Sequence, residues 1–291
     1  MSEIKQQMDV YLSFLKDKSR LSPETVANYT HYLKRFVLFL KQSKVRSGAE
    51  LRPETLLDYG SWLRRFIDPI SKQKLASDTV NYHLIALRGF LRQRDRKGAG
   101  IINKKYLNLE KKQLLKPVLP DVFAIDDLLL APSKFTESVL QRKRDSLLLA
   151  LLFNMGLKVA KLSRLRIADI KDQGDAFVFK IGSQVYPISR QMQVLLKSYL
   201  QARKDKNPYL FISLDKARFK RLALTSLSSR SIQRLIAHYA KLSGVKQVVT
   251  PSLIRHYFAK NELKKSRNLS DLQNKIGYKS QVAFKRYLKN I

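Results

Sequence analysis

Apolar residues recur at helical spacing along most of the chain. Over 3–19, Met8, Tyr11, Leu12 and Leu15 share one face, which predicts an amphipathic helix. Ser22-Pro23-Glu24-Thr25 reads as a helix start, with Ser22 as N-cap and Pro23 in the first turn. The helix it opens runs to about Lys41, with Tyr29, Leu33, Val37 and Leu40 inward. A third helix is predicted over 53–67 around Trp62. A fourth covers 78–95, capped by Ser77, with Val80, His83, Leu84, Leu87 and Leu91 in a stripe. No second metal-ligating residue sits near His83 at a metal spacing, so it reads as a packed side chain.

The pattern then breaks. Residues 98–121 hold glycines, lysines, Pro117 and Pro120, the composition of a linker. It separates an N-terminal domain over 1–97 from a C-terminal domain over 122–291. Beyond it, helices are predicted near 125–131, 138–155 and 159–163. Over Ala176–Ile188 the period shortens to two. FVFKI, a Gly182-Ser183 turn and QVYPI form a β-hairpin. Further helices follow at 190–204, 229–243, 251–264, 270–277 and 280–289. The predicted fold class is mainly α: an all-α N-terminal domain and an α C-terminal domain with a small sheet.

Charge sharpens this picture. Of 291 residues, 57 are Lys or Arg and 23 are Asp or Glu, a net +34. The excess is uneven, with 28 basic against 16 acidic residues in 1–150 and 29 against 7 in 151–291. Such self-repulsion is best explained by a polyanionic partner with a phosphate backbone. Candidate phosphate contacts are Arg88, Arg92, Arg94 and Arg96, the run Lys216, Arg218, Lys220 and Arg221, and the pair Arg230 and Arg234, one helical turn apart. With no cysteine, thiol nucleophiles, disulfides and thiolate zinc sites are excluded. The longest apolar run, Leu147–Phe153, falls short of the ~20 residues a bilayer requires. No leader-like segment opens the chain, so a cytoplasmic, nucleoid-associated protein without membrane contact is expected.

Three segments carry a family resemblance. Arg144-Asp145 through Leu147–Leu152, Gly156-Leu157, Leu162, Leu165 and Asp169-Ile170 resembles the first motif region of the tyrosine recombinases of the Xer and phage-integrase type. Thr250-Pro251-Ser252-Leu253-Ile254-Arg255-His256 resembles their second motif, and Ile276-Gly277-Tyr278 with Tyr287 nine residues on has the spacing of the third. Ser77–Phe90 is similar to the last helix of the family's core-binding (SAM-like) domain. The Leu119-Pro120 region resembles the entry to its catalytic domain. The resemblance implies a C-shaped clamp on double-stranded DNA, alone or beside an active recombinase relative. It implies a tyrosine nucleophile forming a 3′-phosphotyrosyl bond, arginines on the phosphate oxygens, a lysine general acid on the hairpin, and no metal or other cofactor.

By position, the resemblance assigns catalytic roles to Tyr287, Arg255, His256, Lys158 and Lys180. The sequence departs from the family pattern around them. Lys158 stands where the first arginine is expected, Lys161 where a glutamate is, and Ser252 and Tyr278 where histidines are. The hairpin is shortened to Lys180-Ile181-Gly182-Ser183-Gln184, and only four residues follow Tyr287, too few for the family's tail helix. Lysine keeps the charge of an arginine clamp but not its two-pronged grip. The reading is therefore a degenerate, DNA-binding accessory or architectural protein. The alternatives are a divergent working recombinase for DNA integration or recombination, and an RNA-binding protein on the same fold.

Overall fold

A computed structural model of the chain describes residues 2–17, 21–45, 47–96, 106–110, 122–174, 176–214, 225–265, 268–278 and 280–289. The chain divides into two compact units, Met1–Gln113 and Leu114–Ile291.

The first unit is all α, built from α1 (Ser2–Asp17), α2 (Pro23–Gln42), α3 (Pro53–Arg65) and α4 (Ser77–Arg96). Ser22 caps α2, its hydroxyl accepting from the Thr25 amide at 3.1 Å, with Pro23 in the first turn. Ser77 behaves differently from its sequence reading. It lies inside α4, and its hydroxyl donates to the Glu110 carboxylate, holding that acid below the usual range. The inward faces meet in one apolar cluster that includes Leu33, Phe36, Leu40, Tyr59, Leu63, Leu84 and Leu87. His83 is buried there, 1% exposed, with Nδ1 3.3 Å from the Tyr32 carbonyl. Part of the expected linker also joins this unit. Leu107 enters its core, the Glu110 amide donates to Asn81 at 2.8 Å, and the Glu110 carboxylate pairs with Arg64 at 2.9 Å.

The second unit is organised by α6 (Val139–Met155). Its last nine residues are apolar on all sides apart from Asn154, and this stretch is buried all round except at that residue. It packs against α5 (Val122–Phe135), α8 (Arg190–Ala202) and α10 (Pro251–Lys265). Among the described residues, the remaining helices are α7 (Val159–Ser163), α9 (Ser229–Leu242), α11 (Leu269–Ile276) and α12 (Gln281–Leu288). A three-stranded antiparallel sheet runs β1 (Ile170–Asp172), β2 (Phe177–Ile181), β3 (Gln184–Pro187) in that order. The hairpin of β2 and β3 and its Gly182-Ser183 turn match the sequence reading; β1 is an addition to it. In register, Phe179 faces Tyr186 and Lys180 faces Val185. Alternation therefore buries the first pair and leaves the second exposed.

Polar groups tie the unit together. Asp145, fully buried, takes Arg144 Nε at 2.7 Å and the Tyr239 hydroxyl at 2.8 Å, and Tyr239 also meets Thr136 at 2.7 Å. These contacts join α6 and α9 to the residue that follows α5. Six buried residues, Phe258, Ala259, Leu272, Ile276, Phe284 and Tyr287, form a separate apolar cluster between α10, α11 and α12.

Candidate active site

The α6 helix ends at Gly156, whose left-handed φ of 56° suits glycine. A Cβ there would also lie 2.2 Å from the Phe258 ring. This turn aims the Gly156 carbonyl at Arg255 on α10. Arg255 is 8% exposed, and its guanidinium donates to two carbonyls, Nη1 to Gly156 and Nη2 to Ile276, each at 2.7 Å. The same guanidinium lies 5.5 Å from the centroid of the Tyr278 ring.

Tyr287 comes from α12 and is 9% exposed. Its hydroxyl donates to the Arg255 carbonyl at 3.3 Å and lies 3.2 Å from His256 Nδ1. The His256 and Tyr287 rings stack at 5.2 Å, and the Tyr278 ring sits 5.1 Å from Tyr287 on a tilt. Burial pushes the Tyr287 phenol up to about 12, against the lowering pull of the Arg255 charge. Burial first, and the Arg255 charge second, hold His256 below the ordinary histidine range. Neutral imidazole beside a neutral phenol is thus the resting pair.

A cavity of about 820 Å³ opens over this group. Lys158, Ser252, Arg255, His256, Tyr278 and Tyr287 all line it, so residues spread over 130 positions of sequence converge on one hollow. Lys158 is exposed and is the N-cap residue of α7, its carbonyl accepting from the Lys161 amide at 2.8 Å. Lys180 is not among the lining residues. It points outward from β2, on the face opposite Phe179.

The candidate basic contacts separate into different environments. Arg92, Arg230 and Arg234 are exposed, the last two on one face of α9. Arg88 is half-buried, with Nη2 donating to the Leu107 carbonyl, so its guanidinium is engaged within the first unit. Arg94 is half-buried beside Gly48. The Arg96 side chain and residues Lys216, Arg218, Lys220 and Arg221 lie outside the described residues. Among the described residues there is no cluster of metal-ligating side chains and no helix long and apolar enough to cross a membrane.

Sequence reasoning did not single out Gln184 as a functional residue. Its Nε2 donates to the Asn274 carbonyl at the end of α11, while its Oε1 accepts from the Tyr186 hydroxyl at 2.6 Å and from Lys161 Nζ at 3.3 Å. The position next to a shortened turn was visible in sequence. The α11 terminus that it meets, 90 residues away, was not.

An all-helical N-terminal unit, a mainly α second unit with a three-stranded sheet, and a buried arginine–histidine–tyrosine group together define an integrase-type fold. Residues 125–290 match the phage integrase family, and residues 8–98 match the phage integrase N-terminal SAM-like domain. The chain belongs to the phage integrase family, the tyrosine recombinases. It is similar to tyrosine recombinase XerA of Pyrococcus horikoshii, at 29% identity over 63% of this chain and 63% of that protein. With XerA of Thermococcus kodakarensis it shares 26% identity over 99% of this chain and 92% of the relative. The match thus spans under two thirds of the Pyrococcus protein and nearly all of the Thermococcus one. A lambda integrase solved bound to DNA shares the fold, with a TM-score of 0.66 at 15% identity, covering 96% of this chain and 92% of that one.

Proposed function

We propose that the chain binds double-stranded DNA through both units and holds a catalytically degenerate recombinase site. It would then act as an accessory or architectural factor, on DNA with itself or with an active relative. The +34 charge and the exposed Arg92, Arg230 and Arg234 support the DNA partner.

One observation carries the degenerate reading: the Tyr287 hydroxyl is turned inward onto the Arg255 carbonyl, with its phenol pushed up to about 12. A working step would form a phosphorus–oxygen bond from Tyr287 and break the bond to the departing 5′ oxygen. The phenol would lose its proton and the 5′ oxygen would gain one. The first transfer is resisted by burial, and Lys180, the candidate donor for the second, lies outside the lining of the cavity. Loss of a general acid typically costs ~10²–10⁴ in rate, and loss of a preorganised donor ~10²–10³.

Nicked suicide duplexes test this by covalent trapping. Wild type is expected to yield no more protein–DNA adduct than Tyr287→Phe, with equal duplex binding by both. The second reading, a divergent working recombinase, draws on the convergence of Lys158, Arg255, His256 and Tyr287 on one cavity. A robust adduct from wild type that vanishes in Tyr287→Phe would establish it.

A further inference from the structure

The helices α11 and α12, which flank Tyr278 and carry Tyr287, are attached to the second unit in two different ways. Among the described residues, their buried apolar side chains cluster with α10, through Phe258, Ala259, Leu272, Ile276, Phe284 and Tyr287. This cluster is separate from the large core around α6. The polar attachment of α11 runs through three side chains: Glu262 pairs with Lys275 at 2.8 Å, Arg255 donates to the Ile276 carbonyl at 2.7 Å, and Gln184 reaches α11 from the hairpin.

Gln184 opens β3, closing the two-residue turn in register with Ile181. Its amide links three elements: Nε2 donates to the Asn274 carbonyl in the last turn of α11, and Oε1 receives Lys161 Nζ from α7 and the Tyr186 hydroxyl from β3. The Asn274 carbonyl already accepts from the Gly277 amide at 2.9 Å, and Gln184 adds a second donor from outside the helix that ties this end of the element to the hairpin. Asn274 is held by Gln184 and Ile276 by Arg255. Gly277 follows at once, with φ of 78°, and turns the chain into Tyr278 and α12. Lys161 Nζ and Gln184 Oε1 both lie within 3.6 Å of where a Cβ would stand on Gly277. A cation beside the negative end of α11 adds to the hold.

We propose that Gln184 is a positioning residue, a latch from the shortened hairpin to the C-terminal end of α11 that keeps Tyr287 seated in its own chain's cavity. The latch acts on the placement of α11 and α12, whether or not Tyr287 attacks a phosphate. It therefore stands or falls separately from the degenerate-site reading. The hairpin length is part of the device, because a longer turn would carry the residue at the head of β3 away from Asn274.

Two variants of the full chain test it. Gln184→Ala removes every arm, whereas Gln184→Glu keeps acceptors for Lys161 and Tyr186 but loses the donor to Asn274. Amide hydrogen exchange over 269–289 is expected to speed up more than tenfold in both. Exchange over α6 (139–155) should be unchanged. Nitration by tetranitromethane, which requires an accessible phenolate, supplies the second readout. Tyr287 should react more than tenfold faster in both variants, while Tyr239 in the body does not change. Unaltered exchange over 269–289, or unaltered Tyr287 nitration, overturns the latch. So does an equal acceleration in α6 and at Tyr239, which would make Gln184 a support of the whole unit.

Discussion

Gly156 and Arg255 form one device at the residue scale. The glycine supplies a left-handed turn and a clear path for the Phe258 ring, and its carbonyl receives the arginine. Gly156→Ala would force an alanine into positive φ and a methyl group into the ring. A loss of about 3 kcal/mol follows from backbone strain and overpacking together, read as a lowered urea midpoint. The wild-type value retained would show that α6 can end without glycine. That Arg255, His256 and Tyr287 come together was legible, because motif spacing survives substitution of the surrounding residues. The inward hydrogen bonds of Arg255 were not, since they depend on where the Gly156 and Ile276 carbonyls come to lie.

The buried pair at the head of α6 shows how elements are joined. Asp145 has no exposure and answers to Arg144 and Tyr239 at once. Truncation to alanine leaves a buried arginine without its carboxylate, so Asp145→Ala should cost about 3–5 kcal/mol. Tyr239→Phe removes one hydrogen bond and should cost about 1–2 kcal/mol. Chemical denaturation of both variants checks the order, and a larger loss in Tyr239→Phe would contradict it. Helices announced themselves through apolar period and serine caps, as at Ser22. The strand β1 did not, because three residues carry too little pattern and are fixed by pairing with β2 and by the packing of Ile170 on the core. Ser77 was misread for a related reason. A serine before an apolar stripe has the form of a cap, yet Glu110 from outside the helix claims its hydroxyl.

The first unit has an apolar core of its own, which lets its response to solution conditions be read separately. Burial lowers His83 in the first unit to about 4 from an ordinary 6.5. The folded unit thus prefers neutral imidazole, while the unfolded chain takes up a proton as pH drops below 6.5. Stability is full above that value and declines toward pH 4, by about 3 kcal/mol. Residues 1–113 alone, melted between pH 7 and 4, should show this decline, and His83→Leu should flatten it. An identical slope in the variant would assign the acid sensitivity elsewhere. Under the proposed DNA partnership, binding to duplex should weaken steeply with salt, by a log–log slope of ~−0.9 for each phosphate neutralised. Contact with roughly 6–10 phosphates gives a loss of ~10³–10⁵ between 50 and 200 mM salt. A shallow dependence would remove the electrostatic case for that partner.

The all-round apolar end of α6 carries a cost during synthesis. Leu147–Phe153 is hidden in the finished unit by α5, α8 and α10, of which only α5 precedes it in the chain. At translation speeds of ~5–20 residues per second, the stretch from Met155 to the end of α10 at Lys265 takes on the order of 5–20 seconds to make. Throughout that interval the emerging polypeptide displays a greasy segment with its cover unfinished. A newborn chain of this design calls for a ribosome-proximal chaperone more than its completed form ever will.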